Sequence, residues 1–172
     1  MPCRSYSLPT YACISGSRLA YVKNSVCSSC YANKGAYRWP STTAAQTRRL
    51  LHLKHPDWVE AMVKLINHYS PAYFRWFDSG DLQDQEMLTR IFEVCKQTPD
   101  TKHWMPTQER RMVKNVFPPP NLVIRVSSPI INVPLISSIH LHVSMVMDRP
   151  DEHIGYICPA TKIGRASCRE RV

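Results

Sequence analysis

No stretch of this 172-residue chain approaches the roughly 20 consecutive apolar residues that span a bilayer. No signal-peptide pattern opens it either, so a cytoplasmic protein is the expectation. Glycine is scarce, at five residues, and none of the five falls in a phosphate-cradling G-x-x-x-x-G-K loop. No G-x-S-x-G elbow backs a Ser–His–Asp nucleophile. Low-complexity segments and short internal repeats are missing as well. Acidic residues are outnumbered, 13 against 22 Lys and Arg, for a net charge of +9. That excess favours polyanionic partners such as nucleic acid. It reads as spread along the chain, with no cluster stronger than Arg48-Arg49 or Arg110-Arg111, and so as a generally basic surface.

What remains is the material of one globular domain. The chain is 44% hydrophobic and long enough to bury a sizeable core. Its seven cysteines stand at 3, 13, 27, 30, 95, 158 and 168. In a reducing cytosol they read as metal ligands or buried thiols rather than a disulfide framework. The organising stretch is Cys27-Ser28-Ser29-Cys30-Tyr31-Ala32, with Cys13 upstream. Two thiols spaced C-x-x-C can ligate one metal, but zinc sites, iron–sulfur sites and redox dithiols share that spacing.

The last residues stand apart. Ile163-Gly164-Arg165-Ala166-Ser167-Cys168-Arg169-Glu170-Arg171-Val172 can be read as ATC GGA AGA GCG TCG TGT AGG GAA AGA GTG. This resembles the translation of a sequencing-library adapter. The expectation is a non-native tail over 162–172, a single α/β domain over 1–161, and a chain truncated at its C-terminus. Setting residues 163–172 aside removes Cys168 and lowers the net charge from +9 to about +7.

Residues 1–31 read as a cysteine-bearing loop with one short strand around 19–22. Ser41 is expected to cap a helix to about Leu53. Asp57, with Glu60 three places on, is expected to cap a second in a capping box. Trp58, Met62, Leu65, Ile66 and Tyr69 recur at helical spacing and predict its buried face. Tyr73-Phe74-Arg75-Trp76-Phe77 reads as a strand, broken by Asp78-Ser79-Gly80-Asp81. Leu88, Ile91, Phe92 and Cys95 mark a helix, Lys102-His103-Trp104-Met105 a strand, and residues to about Val116 another helix. Asn121-Leu122-Val123-Ile124-Arg125-Val126 is the clearest strand; its near-continuous apolar run predicts burial on both faces. A last strand is expected within 139–147. Strand and helix alternating every 20–30 residues or so predicts an α/β fold of βαβ units.

Chemistry in such folds gathers in the loops after the strands. That points to residues 78–81, 105–107, Ser127-Ser128 and the vicinity of Ser144. In Asp78-Ser79-Gly80-Asp81 the glycine permits a tight turn, and the carboxylates could grip an amine or a cation. The plainer alternative is a strand-to-helix connection with a capping aspartate.

Several stretches together resemble a family of phage-encoded proteins, gene product eighty-eight. They include Ala12-Cys13-Ile14-Ser15-Gly16-Ser17, Val26-Cys27-Ser28-Ser29-Cys30-Tyr31-Ala32, Phe74-Arg75-Trp76-Phe77-Asp78-Ser79-Gly80-Asp81-Leu82, Lys102-His103-Trp104-Met105-Pro106-Thr107 and Ile157-Cys158-Pro159-Ala160. More distantly the chain resembles radical S-adenosylmethionine (SAM) enzymes. That resemblance implies a partial (β/α) barrel carrying a [4Fe–4S] cluster on Cys13, Cys27 and Cys30. It further implies that Ser79, Gly80 and Asp81 form the turn holding the amino group of SAM. Arg75, Trp104, Thr107, Arg125 and Ser127 would line the cavity. Thirteen residues separate Cys13 from Cys27, where those enzymes have three between their first two ligands. The implied protein is an iron–sulfur enzyme in the cytoplasm of a phage-infected or prophage-bearing bacterium, acting on a small-molecule or nucleic-acid substrate. The alternative is a non-catalytic zinc protein using Cys13, Cys27, Cys30 and Cys158, with structural or nucleic-acid-interaction roles. Cys158 could also belong to a second metal site.

Overall fold

Parallel strands cannot be joined by tight hairpins, so each pair needs a long crossover between its members. The chain supplies one at every step. In the computed structural model, which describes residues 3–135 and 141–148, β1 (Arg4–Tyr6) is followed by α1 (Ile14–Leu19), α2 (Pro40–Leu51) and α3 (Trp58–Tyr69). Then come β2 (Tyr73–Trp76), α4 (Gln85–Gln97), β3 (Lys102–Thr107), α5 (Arg110–Val113), β4 (Leu122–Ser127) and β5 (His142–Ser144). The five strands form one sheet in the order β1-β2-β3-β4-β5, every pair parallel. All strand ends of one polarity therefore lie along one edge.

Strands β2, β3 and β4 alternate strictly. On one face Phe74, Trp76, His103, Met105, Leu122, Ile124 and Val126 are buried. The apolar ones pack with Trp58, Met62 and Ile66 of α3 and Leu88, Ile91 and Val94 of α4 in one core cluster. Residues of this kind stabilise by about 1.5–3 kcal/mol each when fully buried. On the other face Arg75, Trp104, Val123, Arg125 and Ser127 are only half-buried. Burial of 121–126 on both faces is thus corrected: β4 has one core face and one mixed, polar face.

Several local expectations change for physical reasons. Residues 19–22 form no strand; they are the end of α1 and a turn, fastened by Ser25 Oγ donating to the Leu19 carbonyl at 2.5 Å. The first strand is instead Arg4–Tyr6, three residues held by pairing to β2 rather than by any pattern of their own. Helix α2 starts at Pro40, with proline in the first turn and no side-chain cap from its N-cap, Trp39. The capping box at Asp57 does not form; Glu60 pairs with Lys64 at 2.6 Å instead. Leu65 and Tyr69 are 49% and 45% exposed, so the buried stripe of α3 is narrower than its spacing suggests. A side-chain cap is made by Asp84, whose Oδ1 accepts from Met87 N at 2.8 Å at the start of α4.

His103 is a polar group inside this core. It is 2% exposed, stacks on Trp76 at 6.0 Å, and its Nε2 sits 2.9 Å from Thr98 Oγ1. Burial pushes its pKa down to about 4. The unfolded chain, with an ordinary value near 6.5, binds the proton first, so the contribution is whole above that pH. It is lost as pH falls from about 6.5 through 4. Urea titrations should show stability falling by about 2–3 kcal/mol over that window beyond the carboxylate background. A His103→Gln variant should flatten the slope there; an unchanged slope would mean that the loss comes from other groups and not from this ring.

Candidate functional site at the strand ends

Beyond Trp76 the chain turns twice through left-handed backbone, at Phe77 (φ 57°) and Gly80 (φ 74°). Phe77 is held there by burial and by its N–H donating to the Tyr6 carbonyl at 2.8 Å. At Gly80 the freedom is required sterically as well: a Cβ would lie 2.5 Å from Leu8 Cβ and 2.8 Å from the Leu8 carbonyl oxygen. Leu8, fully buried, is fastened to the same turn by its N–H to the Ser79 carbonyl at 2.9 Å.

Each polar side chain of residues 78–81 is engaged. Ser79 Oγ donates to the Leu8 carbonyl at 2.8 Å and accepts from Gln46 Nε2 at 2.9 Å. Asp78 accepts from Ser7 Oγ and from Tyr37 OH, and its carbonyl accepts from Tyr31 OH. Asp81 Oδ1 accepts from Thr107 Oγ1 at 2.6 Å and Leu82 N at 2.7 Å, while Oδ2 accepts from Gln108 N at 2.8 Å. Asp81 is 6% exposed. Burial raises its pKa to about 6, against the lowering effect of those three hydrogen bonds, with nearby Glu109 raising it further. The turn is therefore a fastening between β2, β3 and the N-terminal segment, whatever else it does.

Glu109 completes this fastening, and nothing in the sequence marks it. Its Oε1 accepts from Ser15 N at 2.7 Å and its Oε2 from Ser15 Oγ at 2.9 Å, so one carboxylate pins α1 to the end of β3. Further along, Val26 N donates to the Pro129 carbonyl at 3.0 Å beside a Ser25–Ile130 bridge. These two anchors, one near each end of the Cys13–Cys27 interval, fold its thirteen intervening residues back on themselves.

The result brings the cysteines together. A Cβ placed on Gly16 would lie 2.9 Å from Cys13 Cβ, 3.5 Å from Cys13 Sγ and 3.7 Å from Cys27 Sγ. Both thiols therefore face the hydrogen side of one glycine. Burial raises the Cys13 pKa to about 12, helped by Asp81, Cys27, Cys30 and Glu109. Burial raises Cys27 to about 11, helped by Cys30 and Asp81. Burial thus disfavours the thiolate, the nucleophilic form, at Cys13 and Cys27. Among the described residues, no group of three or more His, Cys, Asp or Glu stands close enough as placed to hold a metal ion. The donor set converges without forming a closed shell. Cys158 lies outside the described residues.

The residues expected to line a cavity divide. Arg75, Trp104, Arg125 and Ser127 share the half-buried sheet face, with Arg75 Cζ 4.6 Å from the Trp104 ring centre. Arg75 Nη2 donates to Tyr31 OH at 3.4 Å, and Arg125 Nη1 to the Val143 carbonyl at 3.4 Å. Thr107 does not join them. It lies on the opposite, buried face and serves Asp81, while also accepting from Glu109 N at 2.9 Å.

Fold and site together define an α/β protein with a parallel sheet in sequential order and a thiol- and carboxylate-rich centre at its strand ends. The family model described as Gene product 88 matches residues 2–170. The chain belongs to that family, as its motifs led one to expect. The match takes in most of the adapter-like stretch 163–172, which lies outside the described residues. No curated protein and no solved structure matches the chain. No helix among the described residues is long and apolar enough to cross a membrane.

Proposed function

We propose that this chain is an iron–sulfur protein of radical-SAM type, acting in the bacterial cytoplasm on a small-molecule or nucleic-acid substrate. The observation that carries the reading is the convergence of Cys13 and Cys27 over Gly16, coupled to Cys30 and beside Asp81, at the strand ends. A parallel sheet in sequential order is also the winding of (β/α) barrels and of their partial forms.

Cys13, Cys27 and Cys30 would hold a [4Fe–4S] cluster, and the three-thiolate set leaves one iron for SAM. When bound, that cluster supplies the electron for reductive cleavage of SAM. The donor chemistry suits a cationic centre. Burial first, and the neighbouring carboxylates and thiols after it, raise the Cys13 and Cys27 pKa values, and a cation among them would oppose those effects and favour the thiolates. Asp81 Oδ2 accepts one protein hydrogen bond and has capacity for another, which an amino group could use. Glu109 acts at one remove, holding α1 so that Cys13 faces Cys27. The Arg75–Trp104–Arg125 face offers cationic and aromatic contacts to a substrate.

Anaerobic purification should give brown protein carrying iron and acid-labile sulfide. Single Cys13→Ala, Cys27→Ala and Cys30→Ala variants should each lose most of that iron, while Cys3→Ala keeps it. Colourless protein with stoichiometric zinc would overturn the enzyme reading and leave a structural zinc centre, with Cys158 as a fourth ligand.

A further inference from the structure

We infer that residues 3–56 present a binding surface for single-stranded nucleic acid. The chain's positive charge is not spread evenly after all. Residues 1–56 hold eight Lys and Arg and not one Asp or Glu, whereas residues 57–172 hold 14 against 13. Nearly all of the net +9 thus belongs to the first third of the chain.

The fold leaves that charge outward. Arg4, Arg18, Lys23, Lys34, Arg38, Arg48 and Lys54 are exposed, and of these Lys54 alone pairs with a carboxylate among the described residues, Asp84 at 3.7 Å. The same segment exposes large aromatics: Tyr21 at 94%, Tyr11 at 64%, Trp39 at 63% and Tyr31 at 55%. Arg4 lies over the Tyr69 ring at 3.3 Å; exposed aromatic faces in the same segment as cations without a carboxylate partner are what unstacked bases and a phosphate backbone require.

Two adjoining clefts give this surface a shape. One, of about 440 Å³, is lined by Tyr11, Asn33, Tyr37 and Arg38; the next, of about 390 Å³, by Tyr37, Ser41, Thr42 and Arg49. They share Tyr37 and Gln46 and run along α2, with Trp39 at its start. Asp78, at the back of the second cleft, is already bonded to Ser7 and Tyr37. Amide- and hydroxyl-lined hollows suit bases and phosphates better than acyl chains, which sets nucleic acid ahead of an anionic membrane. The surface offers neither a projecting helix nor a two-stranded ribbon to enter a major groove, so single strands are favoured over duplex.

The inference does not rest on the metal reading, and its failure is distinguishable from it. Fluorescence anisotropy of the full chain with a labelled oligothymidine should show binding that weakens as salt rises, with log K falling linearly with log salt. The Arg38→Glu/Arg48→Glu double variant should weaken it about tenfold or more. Trp39→Ala should cost about fivefold or more on single strands and much less on duplex. Arg111→Glu/Lys114→Glu, the same charge change on exposed positions outside the segment, should bind within about twofold of wild type. Circular dichroism and metal content should match wild type in every variant. Salt-independent binding, equal losses in both double variants, or preference for phosphatidylserine vesicles over oligothymidine would each overturn the inference.

Discussion

Gly80→Val is expected to destabilise the fold by about 3–5 kcal/mol, with Gly80→Ala falling about 1–2 kcal/mol short of that. Two independent costs coincide at this position. A side chain in left-handed backbone costs about 1–3 kcal/mol, and a β-branched one lies at the upper end. The added Cβ must also displace Leu8, a fully buried residue whose backbone carbonyl is only 2.8 Å away. Backbone cannot rotate aside as a flexible side chain can. Moving Leu8 further strains the Ser79 bonds at 2.8 and 2.9 Å that tie the N-terminal segment to β2. Urea unfolding at neutral pH measures the loss directly. A change under about 1 kcal/mol for valine would mean that the turn tolerates rearrangement and does not fix the site.

On the proposed iron–sulfur reading, the second large effect falls on Gly16, and its readout is metal rather than stability. Gly16→Ala would place a methyl 2.9 Å from Cys13 Cβ and within 3.7 Å of two sulfurs. Real Cβ contacts are not that close, so the Cys13 side chain has to move from the point it shares with Cys27. A fall in iron content of about tenfold is expected, in line with losses on disturbing what orients metal ligands. The thermal midpoint should change little, because α1 remains anchored by Glu109. Iron content equal to wild type would show that the thiols meet elsewhere than over Gly16. A Glu109→Gln variant separates positioning from ligation. It keeps much of the geometry but weakens the hold on Ser15, so iron should fall partway and recover at higher metal supply.

The sequence carried the sheet and the grouping of the site better than its fastening. Regular alternation of strand and helix signals gave parallel pairing, because a parallel ladder leaves no other arrangement for such spacing. The turn at Asp78-Ser79-Gly80-Asp81 announced itself by composition. Strand β1 did not, since three residues carry no measurable period and depend on β2 for their conformation. Expected caps at Ser41 and Asp57 failed where proline and an i,i+4 ion pair offered alternatives. Thr107 was read correctly as a strand-end residue and wrongly as a cavity one; parity along β3 turns it to the core side. Glu109 has no motif at all, and only contact across 94 positions reveals its task. The acid-free first 56 residues, by contrast, needed only a count by segment instead of over the whole chain.

That span of 94 positions between Ser15 and Glu109 also orders events in time. Closing so long a loop is entropically expensive until intervening structure shortens it. Helices α3 and α4 and the β2–β3 pairing bring Glu109 toward Ser15, so α1 docks after the middle of the sheet has formed. During synthesis Cys13, Cys27 and Cys30 emerge well before Glu109, so the carboxylate that holds α1 is the last of these groups to leave the ribosome. Assembly of the thiol centre is thus expected to be a late step, since a nascent chain halted before Glu109 lacks the carboxylate that holds Ser15.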